Sequence, residues 1–361
     1  MRILYATLYR SEFGIGGAEY VLRDLVRNMK EKFGEEVACA MNAGDLADFL
    51  RHTGIPVFEI PRSKIKTLQI LARLNQVIAT FRPDIIHSHH RYLTFLLDLF
   101  FKKRSKILHT QHVLTRDKRG LFRYGHLTTA VHESVRENLI SHYGAPGHLV
   151  VTIPNAVRSR APDPVELEKL QARYPRLPGQ VIGLCIARME EQKGHLYLIQ
   201  AVDQLPDSHK RKIKIFLAGD GTLAPFLKQE AARRGLAEQF VFLGHTPQIP
   251  ELLTLCDFVI LASLWEGLPL SILEAYTTAK PVIATDIPGS KETVRQGETG
   301  LLVPPRNAGD LSRAIRHLMD HPVEAAAMGR KGYAFWEENF SFEKMLHAYH
   351  DLYREFSTRC S

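Results

Sequence analysis

The sequence predicts an α/β protein built from two similar halves, each a parallel sheet covered by helices. The chain has 361 residues, more than one hydrophobic core usually serves. Short apolar runs alternate with amphipathic stretches from end to end, which is the pattern of buried strands and covering helices. Four prolines interrupt this alternation between residues 158 and 180, after which it restarts. We therefore expect two Rossmann-like domains whose parallel sheets face each other across a cleft.

The apolar runs before the prolines predict the strands of the first domain. In order they are RILYATL, EVACAMN, PVFEI, DIIHSH, KILHTQH, HLTTAV and VVTIPNAV. Stretches such as AEYVLRDLVRNMKEKF and LQILARLNQVIATFR lie between them and are typical of helices, the second of which ends before Pro83. Ligands of open α/β sheets bind beyond the carboxyl ends of the strands, so we expect the functional residues just after these runs.

The apolar runs after the prolines predict the strands of the second domain. They are VIGLCIAR, KIKIFLAG, FVFLG, DFVILAS, PVIATD and GLLVP. A second break near Asn339 precedes the last helical stretch. We predict a first domain at residues 1–160, a linker at 161–179 and a second domain at 180–335. A final helix at 336–361 is expected to cross back to the first domain.

Composition narrows the class of protein. A hydrophobic share of 45% and a charged share of 24% are ordinary for a globular protein. The four cysteines form no CxxC pair, which argues against a zinc site or a disulfide framework and fits a reducing cytosol. The N-terminal MRILYATLYRSEFG is predicted to be a strand rather than a signal peptide. The run LTFLLDLFF contains Asp98 and is far shorter than the roughly 20 residues that cross a bilayer, so we expect no transmembrane segment.

The positive charge is concentrated in the first half. The formal net charge is +8, yet residues 61–126 alone hold fourteen Lys and Arg against three Asp and Glu. Such asymmetry indicates an anionic partner for this half, whether a membrane surface, a phosphate-bearing acceptor or a nucleic acid.

The segment SLWEGLPLSILEA, residues 263–275, follows the strand DFVILAS and carries the strongest chemical signal. A helix beginning near Leu268 would offer free backbone N–H groups and a positive dipole end, which together bind anions. Glu274 would lie about two turns into this helix, where it could accept hydrogen bonds from a ribose diol. Glu266, in the loop before the helix, would face the group that is attached to the bound phosphate. The alternative is a capped surface helix with two solvated carboxylates.

This segment resembles the E-x7-E motif of the retaining GT-B glycosyltransferases of family 4, and the resemblance covers nearly the whole chain. IARMEEQKG is similar to the family's Arg-x4-Lys element, which implies that Arg188 and Lys193 hold the donor diphosphate. Such cations lower the barrier because the diphosphate gains negative charge as it leaves. LAGDGTL resembles the glycine-rich turn after the next strand, and FLGHTPQIPELLTLCDFVI the segment that holds the nucleobase.

Two further segments of the first half carry the resemblance. GIGGAE is similar to the family's first glycine loop, although its spacing does not fit GxGxxG and the glycines could equally be a turn. TIPNAV resembles the Ile-Pro-Asn turn that precedes the linker. The donor-binding residues implied by the resemblance are Gly16, Gly17, Gly219, Gly244, His245, Gly267, Leu268, Pro269, Leu270, Ser271 and Glu274. The implied catalytic residues are Glu266, His112, Arg188 and Lys193.

The chain has seventeen histidines, which raises the question of a metal site. No HExxH unit and no D-x-D element is present, so we predict no metal. The resemblance places His112 at the strand end near the donor sugar and acceptor, while His109 is predicted to be structural. In TAVHESV a histidine stands where the family usually has serine; it could touch the acceptor or simply be an exposed helix-start residue. The acceptor-side candidates are His87, His89, His132 and Asn155.

The resemblance implies retaining transfer of a sugar from a nucleoside-diphosphate donor to a hydroxyl of a glycan or lipid-linked acceptor. We favour UDP over GDP, and bacterial surface polysaccharide or lipopolysaccharide synthesis as the setting. The nucleotide sugar is the co-substrate, and no other cofactor is predicted. We expect peripheral binding to the anionic cytoplasmic face of the inner membrane, and no nucleic-acid partner. The alternatives are a GT-B sugar-nucleotide epimerase, a phosphorylase, for which no pyridoxal-phosphate lysine is identified, and an inactive GT-B binding subunit.

Overall fold

The protein is described here by a computed structural model that covers residues 1–9, 17–62, 66–114 and 122–358. The strands of these ranges are β1 (Arg2–Ala6), β2 (Glu36–Met41), β3 (Val57–Glu59), β4 (Ile85–Ser88), β5 (Lys106–Gln111), β6 (Leu127–Ala130), β7 (Val150–Thr152), β8 (Val181–Ile186), β9 (Ile213–Ala218), β10 (Phe240–Gly244), β11 (Phe258–Leu261), β12 (Val282–Thr285) and β13 (Gly300–Val303).

The helices connect these strands and cover the sheets. They are α1 (Gly17–Phe33), α2 (Asp45–His52), α3 (Thr67–Phe81), α4 (Arg91–Phe100), α5 (Glu133–Ser141), α6 (Pro164–Arg173), α7 (His195–Asp203), α8 (Asp207–Lys210), α9 (Ala224–Arg233), α10 (Ile249–Leu255), α11 (Leu270–Thr277), α12 (Pro288–Thr293), α13 (Ala308–Asp320), α14 (Pro322–Asn339) and α15 (Phe342–Thr358). Every run predicted to be a strand contains one, so the predicted α/β class is confirmed.

The chain divides into two compact units. Unit 1 comprises Met1–Ala156 and Phe342–Ser361, and unit 2 comprises Val157–Ser341. Unit 1 holds a seven-stranded parallel sheet of order β3-β2-β1-β4-β5-β6-β7. Unit 2 holds a six-stranded parallel sheet of order β10-β9-β8-β11-β12-β13. Central strands such as β4 and β11 are buried at all four positions, because helices cover both faces of a parallel sheet.

The segment predicted to be a linker contains helix α6. The side chain of Asp163 caps it by accepting hydrogen bonds from the backbone N–H groups of Val165 and Glu166, at 2.8 and 3.2 Å. Pro164 occupies its first turn, where a missing N–H costs nothing. The prolines therefore start and flank a helix of unit 2, instead of marking an extended connection.

The last helix belongs to unit 1. The segment predicted as one helix from Trp336 is divided in the structure, since α14 ends at Asn339 and α15 begins at Phe342. Helix α15 buries Tyr349 and Tyr353 against the first sheet, and Lys106 of β5 donates hydrogen bonds to the carbonyls of Phe356 and Ser357 at 3.1 and 2.9 Å. This lysine therefore satisfies carbonyls that the helix end would leave without partners.

Candidate active site at the carboxyl edge of the second sheet

The strand order of unit 2 reverses between β8 and β11, which are neighbours in the sheet. In open α/β sheets such a switch point opens a crevice at the carboxyl ends of the strands, where ligands bind. Strand β8 ends at Ile186 and β11 at Leu261, so Arg188 and Glu266 lie in the loops that follow these two strands. The structure thus brings the two predicted motifs of this unit to one edge of its sheet.

The carboxylate of Glu266 is buried and is held by side chains from both loops. Lys193 forms an ion pair with one oxygen, and the hydroxyl of Ser263 donates to the same oxygen at 2.7 Å. The amide of Gln192 lies 3.5 Å from the other oxygen. The side chains of Glu266 and Lys193 are only 8% and 17% exposed, so their attraction is weakly screened by solvent. Ser263 and Lys193 together hold the carboxylate in one orientation.

Backbone contacts explain how the two loops meet. A 3₁₀ turn over Glu191–Lys193 follows β8, and the carbonyl of Gln192 accepts a hydrogen bond from the backbone N–H of Leu264 at 2.7 Å. The side-chain amide of Gln192 donates to the carbonyl of Trp265 at 2.8 Å. The hydroxyl of Thr285, at the end of β12, donates to the carbonyl of Ser263 at 2.5 Å. Three neighbouring strands therefore fix the loop that carries the first glutamate of the motif.

Gly194 permits this close approach of the two loops. Its φ of +64° is in the left-handed region, and a Cβ atom placed there would lie 2.0 Å from the carbonyl oxygen of Ala262. Gly235 has a similar φ of +71° but has no atom within 4 Å of the corresponding Cβ position. The two glycines therefore share a backbone strain and differ in the space around them.

We predict that Gly194→Ala destabilises the protein more than Gly235→Ala. A left-handed alanine costs about 1–2 kcal/mol at either position, and overpacking against Ala262 adds about 1–3 kcal/mol at Gly194 alone. Urea unfolding of both variants measures the difference in free energy of unfolding. Equal losses would show that the loop after β11 can move away from residue 194 without cost.

Helix α11 begins two residues later than predicted. It starts at Leu270 rather than near Leu268, because Pro269 has the extended ψ of 99° that precedes a helix. The loop before it is tightly enclosed, since a Cβ at Gly289 of α12 would lie 1.9 Å from the carbonyl oxygen of Gly267. The backbone N–H groups of its first turn, at Leu270 and Ser271, lie at the predicted anion site.

Glu274 lies just over one turn into α11, on the same helix whose start follows Glu266. Burial raises the pKa of its carboxyl to about 7, and the positive charge of Arg160 opposes this rise. A carboxyl with this pKa is close to half ionised near neutral pH. The ionised carboxylate offers both oxygens as acceptors to a vicinal diol, whereas the protonated form carries an O–H donor on one of them.

We predict that nucleoside diphosphate affinity increases as the pH rises from 6 to 8, because Glu274 loses its proton over this range. The pKa is raised to about 7, so the ionised carboxylate, which the resemblance assigns to the ribose diol, is half formed at that pH and predominates only at higher pH. Calorimetry at several pH values measures the trend, and Glu274→Gln is the control in which it should flatten. The same trend in both proteins would assign it to the phosphates of the ligand.

Further predicted donor residues follow the outer strands of the same sheet. The backbone N–H of Gly219 donates to the carbonyl of Gly244 at 2.8 Å, which joins the ends of β9 and β10. Gly219 has a φ of +145°, and a Cβ there would lie 2.1 Å from the carbonyl oxygen of Ala187. Arg188 and His245 are exposed, and Leu268 is buried. A ligand can reach both exposed side chains.

The predicted histidines of unit 1 divide into two groups. His87 is fully buried, with one ring nitrogen 2.6 Å from the hydroxyl of Tyr353 and the other 2.6 Å from that of Thr110. Because both nitrogens are used inside the unit, the structure gives His87 a structural position and not the acceptor-side one predicted. His109 is likewise buried between Thr94 and Gln111, as predicted for a structural residue.

His89 and His112 form the second group. They follow the neighbouring strands β4 and β5, and His89 Nδ1 lies 3.0 Å from His112 Nε2. Burial lowers the pKa of His89 well below its usual range and that of His112 to about 3. Both imidazoles are therefore neutral near neutral pH.

For the remaining predicted residues of unit 1, the structure gives burial and position in the fold. His132 is only 1% exposed and precedes α5, so the expected exposed helix-start histidine is wrong. Asn155 is buried and Gly17 is the exposed first residue of α1. Gly16 lies outside the described residues.

Sequence reasoning missed Ser263 and Gln192. Both contact Glu266, yet nothing in their spacing distinguishes them from ordinary loop residues. The one sequence feature that could have indicated them is their position next to the motifs. Ser263 begins the segment containing the E-x7-E motif, and Gln192 directly precedes the predicted lysine.

One group of potential metal ligands lies elsewhere among the described residues. Ligand atoms of His317, His321 and Glu324 lie within 4.8 Å of one another where α13 meets α14. His317 Nε2 is 3.1 Å from a carboxylate oxygen of Glu324, so a surface ion pair accounts for the contact. None of the three was predicted to be a site residue.

Comparison with known proteins identifies the family. The family described as Glycosyl transferases group 1 matches residues 168–335, and the one described as Glycosyltransferase Family 4 matches residues 15–160. The chain belongs to the family 4 glycosyltransferases. The predicted resemblance is thereby confirmed.

Two curated relatives illustrate the range of this family. The 2-deoxystreptamine glucosyltransferase of Streptomyces kanamyceticus is 30% identical over 248 residues, which span 66% of this chain and 63% of that enzyme, less than two thirds of its length. The UDP-Gal:alpha-D-GlcNAc-diphosphoundecaprenol alpha-1,3-galactosyltransferase of Escherichia coli is 26% identical over 326 residues, 81% of this chain and 82% of that enzyme.

A solved structure shows the fold of this family 4 glycosyltransferase. Anabaena HepE in complex with UDP-glucose matches with a TM-score of 0.86 and 21% identity, over 98% of this chain and 100% of that chain. The match covers both units, and the fold is the GT-B fold that the sequence predicted.

Proposed function

We propose that this family 4 glycosyltransferase transfers a sugar from a nucleoside-diphosphate sugar, with retention at the anomeric carbon, to a hydroxyl of a glycan or lipid-linked acceptor. The observation that carries the proposal is the buried group of Lys193, Glu266 and Ser263 at the switch point of the second sheet. It combines a cation suited to a diphosphate with a carboxylate suited to sugar hydroxyls.

Each charged group has a distinct part in the proposed reaction. Arg188, Lys193 and the first N–H groups of α11 stabilise the negative charge that grows on the diphosphate as the bond to the sugar breaks. Glu266 accepts hydrogen bonds from hydroxyls of the donor sugar and so orients it. When the donor diphosphate binds, it becomes a second anion for Lys193, which is paired with Glu266 in its absence.

Retention follows in this proposal from attack on the same face from which the diphosphate departs. The departing phosphate oxygen takes the proton of the acceptor hydroxyl, the acceptor oxygen bonds to the anomeric carbon, and the nucleoside diphosphate leaves. This route needs neither the pair of carboxylates that glycosidases use nor a metal, since cations and helix N–H groups supply the electrostatic stabilisation.

The donor and acceptor classes rest on the relatives. HepE was solved with UDP-glucose, and the Escherichia coli relative is named for UDP-Gal and a diphosphoundecaprenol-linked sugar. We therefore favour a UDP-sugar as donor and a lipid-linked glycan as acceptor, in the synthesis of bacterial surface polysaccharide or lipopolysaccharide.

A radiolabelled donor screen tests this function. UDP-, GDP- and ADP-sugars are incubated with the protein and a bacterial lipid extract in excess EDTA, and the anomeric configuration of the product is read by NMR. We expect a labelled α-linked product from a UDP-sugar at full rate in EDTA. Activity that requires Mn²⁺ or Mg²⁺, a β-linked product, or an epimerised donor without transfer would each contradict one part of the proposal.

We further propose that unit 1 binds anionic membranes on the cytoplasmic face through the end of α4. Leu99 and Phe100 are each 53% exposed there and are followed by the exposed Lys103 and Arg104. Apolar side chains beside cations favour a membrane interface. None of the helices in the described ranges is long and apolar enough to cross a membrane.

The structure narrows the cationic surface that the sequence indicates. Lys106 is held by carbonyl groups at the end of α15, and Lys102 is paired with Asp98 at 2.9 Å. These two lysines therefore have partners within unit 1, whereas Arg104 donates a hydrogen bond to the neutral side chain of Asn75 at 3.3 Å, which leaves its charge unbalanced by that contact. The proposed membrane surface comprises Leu99, Phe100, Lys103 and Arg104.

We predict that replacing Lys103 and Arg104 with Ser weakens co-flotation with phosphatidylglycerol liposomes at low salt. Each cation near an anionic surface contributes about 1 kcal/mol, so the loss of two lowers the binding constant about thirtyfold. The matched control replaces Arg211 and Lys212, an exposed pair of unit 2, with Ser. An equal loss in both variants would show that net charge, and not this surface, drives binding.

A further inference from the structure

The contact between His89 and His112 is a hydrogen bond between ring edges. The nitrogens are 3.0 Å apart, while the ring centres are 5.2 Å apart with an interplanar angle of 26°. A centre separation so much longer than the nitrogen contact places the rings side by side in nearly one plane. In this geometry one nitrogen must carry a hydrogen and the other must offer its lone pair.

The two outer nitrogens of this pair have no hydrogen-bond partner among the described residues. His89 Nε2 and His112 Nδ1 are both buried. Buried polar atoms are rarely left unsatisfied in folded proteins, so two unsatisfied nitrogens at the ends of neighbouring strands indicate polar groups that bind there. By contrast, both nitrogens of the adjacent His87 have partners, although its ring centre lies only 4.1 Å from that of His89.

The shared hydrogen bond constrains what the outer nitrogens can do. A neutral imidazole has one N–H and one bare nitrogen. If His89 Nδ1 donates, then His89 Nε2 is an acceptor and His112 Nδ1 is a donor; if His112 Nε2 donates, the two outer roles are reversed. In either arrangement the pair presents one donor and one acceptor, and a change in one histidine requires a change in the other.

The surroundings keep the pair neutral. His109 disfavours a positive charge on both His89 and His112, and His87 disfavours one on His89. Burial acts in the same direction. A proton added to the pair would turn its acceptor end into a second donor, so the pair keeps its donor and acceptor ends only while it is neutral.

We propose that His89 is a positioning residue that couples its own tautomer to that of His112, so that the pair binds sugar hydroxyls through one donor and one acceptor nitrogen. The inference deepens the proposed function, on which the assignment of sugar hydroxyls as the ligand rests. The tautomeric coupling itself depends only on the geometry of the two rings.

Three substitutions separate this role from a structural one. His89→Phe keeps a ring of similar size and removes the hydrogen bond to His112. His89→Asn keeps an amide near the position of Nδ1, which can still bond to His112. His109→Phe is the matched control, because His109 is buried nearby but bonds to Thr94 and Gln111 instead.

The test reads the tautomer of His112 by ¹⁵N NMR of histidine-labelled protein, with the signal assigned by its absence in His112→Gln. From pH 6 to 8 we expect His89 and His112 to be neutral and to carry N–H on the same ring position, Nδ1 in both or Nε2 in both, in the unmodified protein and in His109→Phe. In His89→Phe we expect the tautomer ratio of His112 to change and kcat to fall about tenfold or more. The affinity for the free nucleoside diphosphate should stay unchanged, since the pair is proposed to contact sugar hydroxyls and not the nucleotide.

Two results would overturn the inference. One is a His112 spectrum that is identical in His89→Phe and the unmodified protein. The other is a His89→Asn variant that is no closer to the unmodified protein than His89→Phe. The spectra need no substrate, so a failure of the transfer assay would contradict the proposed function while the tautomeric coupling is still decided by NMR.

Discussion

Replacing Glu266 with Gln is expected to reduce sugar transfer by more than about a hundredfold, the effect of losing one group that stabilises a transition state. Glutamine fills the same space in contact with Ser263 and Lys193 but offers a single acceptor oxygen and no charge. The donor sugar then loses the carboxylate that orients it. Nucleoside diphosphate affinity should stay within a few-fold, because the proposed function assigns Glu266 to the sugar and not to the nucleotide.

Steady-state kinetics and calorimetry together test this expectation. Glu230→Gln is a matched control: this carboxylate of unit 2 is also buried, and it is paired with Arg233 and Arg234 at 2.8 and 2.7 Å. It should retain full activity. Loss of nucleotide binding in Glu266→Gln would instead place the residue at the nucleotide, and undiminished transfer would remove it from the site.

The second large effect is expected at the two cations. Lys193→Ala and Arg188→Ala should each weaken nucleoside diphosphate binding about tenfold to a hundredfold, since each removes a charge-assisted contact worth about 1.5–3 kcal/mol. Their effects on stability should differ. Lys193 is paired with the buried Glu266, and leaving that carboxylate without its partner costs about 3–5 kcal/mol. Arg188 is exposed, so its loss should leave stability nearly unchanged.

Thermal unfolding and calorimetry of both variants separate these contributions. The double variant Lys193→Ala with Glu266→Gln should recover part of the stability lost in Lys193→Ala, because the unpaired charge is gone. Unchanged binding in both single variants would contradict the assignment of the Arg-x4-Lys element. Equal destabilisation by both would show that burial of the Lys193 pair contributes little.

The strands were predictable because their signal is local. Each is a short apolar run, and burial on both faces of a parallel sheet selects such runs whatever lies next to them. Helix boundaries depend on less local features. The prolines at 162 and 164 interrupt the apolar pattern, and such an interruption is typical both of a linker and of the start of a helix. The packing of Leu170 in unit 2 decides between these two interpretations in favour of helix α6.

The candidate site was predictable at the level of motifs but not of contacts. The resemblance to the family 4 motifs indicated Arg188, Lys193 and Glu266, and their positions after strands supported it, because the carboxyl ends of parallel strands share one edge. The ion pair between Lys193 and Glu266 joins residues that are 73 positions apart, and no sequence pattern encodes that distance. For the same reason the sequence does not distinguish His87 from His89, which lie on one strand face. In the structure His87 is hydrogen-bonded to Tyr353 of the distant α15, and His89 is not.

Calorimetric titration with UDP, GDP and ADP tests the central claim most directly, since it needs neither the sugar nor the acceptor. The account predicts that one nucleoside diphosphate, UDP in our proposal, binds to a single site. Lys193→Ala and Glu274→Gln should each weaken it, and Glu230→Gln should not. Binding of none of the three nucleotides, or binding that both site variants leave unchanged, would contradict a donor site at the carboxyl edge of the second sheet.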